Sequence, residues 1–304
     1  MISSLNLEII DICNLQCRIC DIWKNKTKHI LLPQEIEKIL DDIKDKKDLD
    51  ITITGGEPFL HPDIHEVFLR IHKKWNRIHT ISTNWILKKK VLHLLEFCVE
   101  NSIAFPSIHI SIDWYEKNHD LQRGIKWAFK KSIDTIISIK KQYPLISIKI
   151  KFTITNDNII DIEKMFHLAS RLWVLIAFKP VQNDQFYTNK INTPLLLDKK
   201  NQALVVHILN GLYLKEDNEY VSHLLYYLKF NRLLFRCATI EKSIFIMANG
   251  DIFPCTNYPS IGNIREQPLS EIIWNKKHQE IHKQVLENNC QKCFSPHWSY
   301  KTIV

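Results

Sequence analysis

Six short β-rich runs, LNLEII, LDITIT, RIHTIS, SIHISI, SIKIKFTI and WVLIAFKPV, recur between residues 5 and 181 with amphipathic stretches between them. Few folds accept such an alternation, because it implies parallel strands joined by right-handed crossovers. Apolar spacing predicts helices over 33–47, with Pro33 in the first turn, and over 64–74, 88–101, 121–142 and 159–171. Residues 183–194 read as a loop and 195–228 as one or two connecting helices. In folds of this α/β class the chemistry sits at the C-terminal ends of the strands, so the segment after each run is where functional residues belong.

The chain has 304 residues, of which eight are cysteine, with 41 basic against 33 acidic side chains. Its longest apolar runs fall far short of the roughly 20 residues that span a bilayer. The start, MISSLNLEIIDIC, lacks a basic segment followed by a long apolar one, so a cytoplasmic protein without membrane attachment is expected. A net charge of +8 fits a solvated, lysine-rich surface and does not call for a nucleic-acid partner. Cytosolic thiols stay reduced, so clustered cysteines there point to metal or redox chemistry rather than to disulfides. Cys98, on an apolar helical face of VLHLLEFCVE, reads as a buried structural thiol.

Cys13, Cys17 and Cys20 follow the first run in DICNLQCRICDIW. One tight loop can aim three thiolates at one face of a cubane iron–sulfur cluster, leaving the fourth iron without a protein ligand. An open coordination position is where a small molecule binds and reacts. After the second run, the paired glycines of TITGGEP let the backbone come close to a ligand.

The triplet C-x3-C-x2-C in CNLQCRICDIW, followed by ITITGGEPFLHPDI, ISTNW, HISIDWYEKNHDLQRG, KFTITNDN and FKPV, resembles the radical S-adenosylmethionine (SAM) enzymes. The resemblance implies a partial (βα)6 TIM-type barrel over residues 1–195. It also implies a [4Fe-4S] cluster on Cys13, Cys17 and Cys20 that chelates SAM and splits it to methionine and a 5′-deoxyadenosyl radical. Gly55 and Gly56 would show carbonyls to the SAM ammonium with Glu57 nearby. Asn84, Ser111 and Arg123 would be further SAM contacts, and a guanidinium suits the SAM carboxylate because that pairing is bidentate. Two positions depart from the pattern: Trp85 stands where many relatives have glycine, and Ile19 replaces an aromatic residue lying along the adenine. Asp113 and Asp120 are further polar candidates that could equally cap helices.

The second cysteine group is Cys237, Cys255, Cys290 and Cys293. SIFIM and DIFPC read as strands joined at Asn249-Gly250, a strong hairpin signal that would bring Cys237 and Cys255 together. A helix over 269–286 would lead back to Cys290 and Cys293. Tetrahedral sulfur ligation suits zinc and iron–sulfur alike, and spacing alone leaves the two even. The order cysteine, NGDIFPC, GNI and C-x2-C resembles the short twitch form of the SPASM extension of radical SAM enzymes. That implies a small α+β iron–sulfur domain over 231–304, behind connecting helices at 196–230, with one auxiliary [4Fe-4S] cluster on the four cysteines.

Two [4Fe-4S] clusters and SAM imply hydrogen abstraction from a substrate C–H, with an external reductant such as flavodoxin or ferredoxin. An auxiliary cluster suits oxidation of the substrate radical. With the cluster loop starting at residue 13 and no thiol left as hydrogen donor, dehydrogenation of a small carbohydrate- or aminocyclitol-like alcohol is the reading favoured at this level. The alternatives are maturation of a ribosomal peptide and sugar epimerisation. The non-enzyme rival is a zinc-stabilised RNA-binding module, although no nucleic-acid motif is present. The sequence identifies neither the catalytic base nor the hydrogen donor.

Overall fold

β1 (Ser4–Glu8) is the strand from which the sheet grows in both directions. The structure, a computed structural model, describes residues 2–43, 49–74, 76–182, 195–214, 218–234, 236–287, 290 and 293–294. On one side of β1 lie β2 (Asp50–Thr54), β3 (Ile78–Thr83), β4 (Ser107–Ser111), β5 (Ile148–Ile154) and β6 (Leu175–Pro180), every neighbouring pair parallel. All six strands fall on the β-rich runs. On the other side, β7 (Ser243–Ile246) pairs parallel with β1, and β8 (Asp251–Phe253) and β9 (Gly262–Asn263) follow antiparallel. The C-terminal hairpin, with Gly250 at φ 90° in its turn, therefore continues the barrel sheet into one nine-stranded order.

The crossovers are α1 (Pro33–Asp42), α2 (Ile64–Lys73), α3 (Lys88–Glu100), α4 (Lys117–Arg123), α5 (Ala128–Gln142) and α6 (Ile162–Arg171). Each lays an apolar stripe on the sheet; in α1 it is Ile36, Ile39 and Leu40, at the spacing of one helical face. Those side chains meet Leu5, Leu7, Ile51, Ile53, Ile108, Ile110, Ile150 and Phe152 in one core, and full burial of each contributes about 1.5–3 kcal/mol. Cys98 is buried in this core on α3, as expected, and burial pushes its thiol up to about 12.

Two expected helices are broken. The 121–142 stretch divides because Gly124 takes a left-handed conformation at φ 68°, ending α4, and α5 restarts after Trp127 at φ 69°. The carboxylate of Asp120 accepts from the backbone N–H groups of Trp127 and Phe129, so this residue caps α5. The 269–286 helix divides likewise into α10 (Leu269–Ile272) and α11 (Lys276–Glu287), with Trp274 at φ 64° between them.

The connecting segment holds α7 (Lys199–Leu212) and α8 (Glu219–Phe230), capped by Asp198 and Asn218; a single turn, α9 (Thr239–Lys242), precedes β7. Tyr220 of α8 donates its hydroxyl to the carbonyl of Phe178, and Gln182 reaches the Tyr227 hydroxyl at 3.3 Å, so α8 is anchored to the end of β6. The loop expected at 183–194 lies outside the described residues. Among the described residues no helix is long and apolar enough to cross a membrane.

Candidate active site

The cysteine triplet occupies the loop after β1, at the C-terminal end of the sheet. Three segments hold it. The GGE segment after β2 sends the Gly56 and Glu57 N–H groups to the carbonyls of Ile10 and Ile12, at 2.7 and 2.9 Å. A Cβ on Gly55 would sit 2.5 Å from the Ile10 oxygen, and one on Gly56 would sit 2.4 Å from the Ile12 oxygen. The glycines are thus needed for the cluster loop itself to dock. The end of α4 supplies the second support, accepting the N–H groups of Gln16 and Arg18 at the Arg123 and Gln122 carbonyls, 3.0 Å each. The third is the amide of Asn84, which donates to Asn14 at 2.8 Å.

Glu57 is fully buried. Its carboxylate accepts from the N–H of Phe59 at 3.1 Å, the hydroxyl of Thr83 at 2.7 Å and the N–H of Asn84 at 2.8 Å. Burial pushes it up to about 6 against these hydrogen bonds. Both oxygens are therefore spent inside the protein, where they fix the end of β3. Trp85, buried at φ 62°, follows Asn84 and leaves its indole N–H without a partner.

Arg123 reaches across the site. Its Nη1 lies 3.4 Å from the Sγ of Cys17, and its Nη2 donates to the Ser111 carbonyl at 2.7 Å and to the carboxylate of Asp113. Asp113 also accepts from the Thr153 N–H at 2.8 Å, so it positions the arginine rather than capping a helix. Ser111 ends β4, and Ile19 packs with Val181 and Leu195 beyond the end of β6.

The donor set fits the implied cofactors. Burial pushes the thiols of Cys13 and Cys20 up to about 11 and about 12, with the Arg123 charge opposing it, so their ionisation calls for a strong local cation such as cluster iron. Among the described residues no three His, Cys, Asp or Glu side chains are gathered tightly enough for a single ion. Buried donors and acceptors also lack partners beside the loop: Arg123 Nε, His119 Nδ1 and both amide atoms of Gln122. Unmatched buried groups like these await a polar ligand. His119 and Gln122 were not singled out from the sequence; their only signal is their place beside Arg123 in HDLQRG.

At the C-terminal group, Tyr258 donates its hydroxyl to Cys290 and also feels the charges of Cys255 and Cys237, so three of the four thiols surround one phenol. Burial first, and then these thiols, push Tyr258 upward. Cys293 lies beside Tyr227. Tyr258, in CTNYP, carries no motif by which to find it. Glu8, at the end of β1, is a further group missed: it is 2% exposed and accepts from the Ala248 N–H at 3.1 Å.

Comparison with known proteins agrees with this geometry. The Radical SAM superfamily model matches residues 7–169, and the SPASM model, an iron-sulfur cluster-binding domain, matches 237–294. The subtilosin biosynthesis protein AlbA of Bacillus subtilis is 23% identical over 93% of this chain, which spans 64% of AlbA, less than two thirds. Fe-coproporphyrin III synthase of Methanosarcina barkeri is also 23% identical, over 94% of this chain and 78% of its own length. The crystal structure of Streptococcus suis SuiB bound to SAM superposes with a TM-score of 0.72 at 16% identity, covering 96% of this chain and 72% of SuiB. SAM and [4Fe-4S] clusters are accordingly the cofactors. A family match over more than half of its length settles the matter: the protein belongs to the radical SAM superfamily and carries an iron–sulfur SPASM domain behind the barrel.

Proposed function

We propose that this radical SAM enzyme modifies a peptide, taking a hydrogen atom from a residue held in the barrel lumen. One observation carries the reading. The inward faces of β1 to β5 carry polar residues, with Asn6 and Glu8 on β1, Thr52 and Thr54 on β2, Thr80 and Ser82 on β3, and Ser111, Lys151 and Thr153 on β4 and β5, while Ala177 on β6 and Phe245 on β7 share that side. A polypeptide brings backbone N–H and C=O groups that need such partners, whereas a flat apolar macrocycle needs apolar walls. Relatives support it: AlbA is named for bacteriocin biosynthesis, and SuiB has also been solved with the precursor peptide SuiA. A small carbohydrate-like alcohol, favoured from sequence alone, would use the same polar wall but has less support from these relatives.

When bound and reduced, the SAM cluster supplies a 5′-deoxyadenosyl radical, and the auxiliary cluster supplies an electron relay. The chain's own residues do the rest. Gly55, Gly56 and Asn84 hold the cluster loop, and Arg123 with Asp113 fixes Cys17 and the end of β4. Glu8 reaches the lumen wall with its carboxyl pushed up to about 7 by burial, which suits proton exchange near neutrality.

The test is anaerobic turnover of the full chain with SAM, dithionite and a synthetic peptide encoded beside its gene. Deuterium passing from the labelled peptide into 5′-deoxyadenosine, with a matching change in peptide mass, is the expected result. Transfer from a labelled aminocyclitol but not from the peptide would replace this reading with alcohol dehydrogenation.

A further inference from the structure

The lumen wall is not evenly charged. On β5, Lys149 and Lys151 alternate with Ile148, Ile150 and Phe152, which are buried against the helices, so both lysines face inward. On β6, Ala177 lies opposite Lys151 and Lys179 lies opposite Thr153, so Lys179 shares that face and the alanine leaves room beside Lys151. On β4, His109 is opposite Lys149 and Ser111 is opposite Lys151. Three lysine amino groups and one imidazole therefore share one side of the lumen. Ser111, opposite Lys151, is the residue whose carbonyl Arg123 holds, so the basic wall begins where the cluster loop ends. Burial and mutual repulsion bear on these groups: Lys151 is pushed well below the usual lysine range by burial and by Lys149 and Lys179. Burial first, then Lys151 and Lys149, pushes His109 down to about 2, keeping it neutral. Across the lumen, Asn6 Nδ2 on β1 is buried without a partner, a second sign that the space is shaped for a polar ligand.

We propose that Lys149, Lys151 and Lys179 form a carboxylate site that anchors an acidic side chain of the substrate below the carbon that loses its hydrogen. The assignment rests on the peptide reading above only for the source of the carboxylate. Lysines lining a polar wall commonly snorkel to bulk water; here the register of β5 and β6 brings Lys149, Lys151 and Lys179 to one face, where a carboxylate fits among them.

The test uses the anaerobic, cluster-loaded full chain at constant ionic strength, with three probes: citrate, a glutamate-containing peptide, and its glutamine twin. Wild type is expected to bind the glutamate peptide about ten-fold more tightly than the twin and to melt higher in citrate than in chloride. Lys151→Met and Lys179→Met should abolish both differences while SAM affinity stays unchanged. Stabilisation by citrate without peptide discrimination upholds the carboxylate site and overturns the peptide reading. No response to citrate or to either peptide overturns the site. Loss of SAM affinity in both variants also overturns it, since the lysines would then serve the cofactor.

A separate observation concerns the tryptophans. They number eight in 304 residues, yet they are four of the seven non-glycine described residues with positive φ: Trp85, Trp127, Trp173 and Trp274. That backbone region favours glycine, and a bulky side chain there is strained. Trp274 has a use for its ring, stacking on His278 at 4.5 Å between centroids. The others do not show one of that kind: Trp127 and Trp173 are 64% and 86% exposed, and Trp85 buries an indole N–H without a partner. We infer that residues 85, 127 and 173 are glycine positions whose codon, UGA, is decoded as glycine in the cell that makes this protein. The gene should show UGA at 85, 127 and 173 and UGG at 274; UGG at the first three overturns the inference. The combined variant Trp85→Gly, Trp127→Gly, Trp173→Gly should melt higher than the tryptophan form, and a lower melting point would likewise overturn it.

Discussion

Arg123 touches the Sγ of Cys17 through Nη1, at 3.4 Å, while its Nη2 is bound to the carboxylate of Asp113, and both charged residues are buried. The pair joins the cluster loop to the end of β4. Removing one partner strands the other charge inside the protein, which costs about 3–5 kcal/mol. Asp113→Ala should therefore lower stability by that amount and loosen SAM binding, while Asp113→Asn keeps one of the two acceptor oxygens and loses less. Anaerobic urea unfolding checks this; a loss below about 1 kcal/mol in Asp113→Ala would show that the charge is solvated.

Gly56→Ala puts a methyl group 2.4 Å from the Ile12 carbonyl and 3.0 Å from the Cys13 Cβ, where backbone rather than a flexible side chain would have to move. The cluster loop should fail to dock although the C-terminal thiols are untouched. Iron is expected to fall from roughly eight to roughly four per chain, and SAM cleavage to vanish. Iron analysis showing the full complement would mean that the loop can shift aside.

The two thiol groups should be separable. Cys237→Ala with Cys255→Ala removes two of the three thiols around Tyr258 and should leave SAM cleavage in the absence of substrate, with roughly four irons per chain. Product formation should stop. Zinc in the wild-type C-terminal site, found by metal analysis, would overturn the assignment of that site to iron and sulfur.

Much of this was legible because apolar spacing is local. The six runs became β1 to β6, and the Asn249-Gly250 turn became the β7–β8 hairpin. The breaks after Gly124 and at Trp274 were missed because continuous apolar spacing outweighed single residues; Gly124 after Arg123 is an ordinary helix stop that could have been heeded. The pairing of β7 with β1 joins residues about 240 apart, which no local pattern encodes. The same distance hid Glu8, whose partner Ala248 lies in the turn after β7. At the site, cysteine spacing located the loop, but the engagement of Glu57 by Thr83 and Asn84 depends on how β2 and β3 end side by side.

Glu8 makes the seam between barrel and extension sensitive to pH. Burial raises its carboxyl from 4.5 to about 7, against the lowering effect of the Ala248 N–H. The folded state thus holds the proton more tightly than the unfolded chain, so this group's contribution to stability is greatest below pH 4.5 and is lost as pH rises to about 7. At about 1.4 kcal/mol per pH unit, the loss is about 3 kcal/mol once both states are ionised. Glu8→Gln stays neutral at every pH and keeps an oxygen for Ala248. It should match wild type within about 1 kcal/mol at pH 5 and exceed it by about 3 kcal/mol at pH 8, measured by anaerobic urea unfolding. The same variant would lose any proton exchange at the lumen wall, so greater stability with slower turnover at pH 8 is the expected pairing. Equal stability of the two proteins at both pH values would show that Glu8 is hydrated in the folded state.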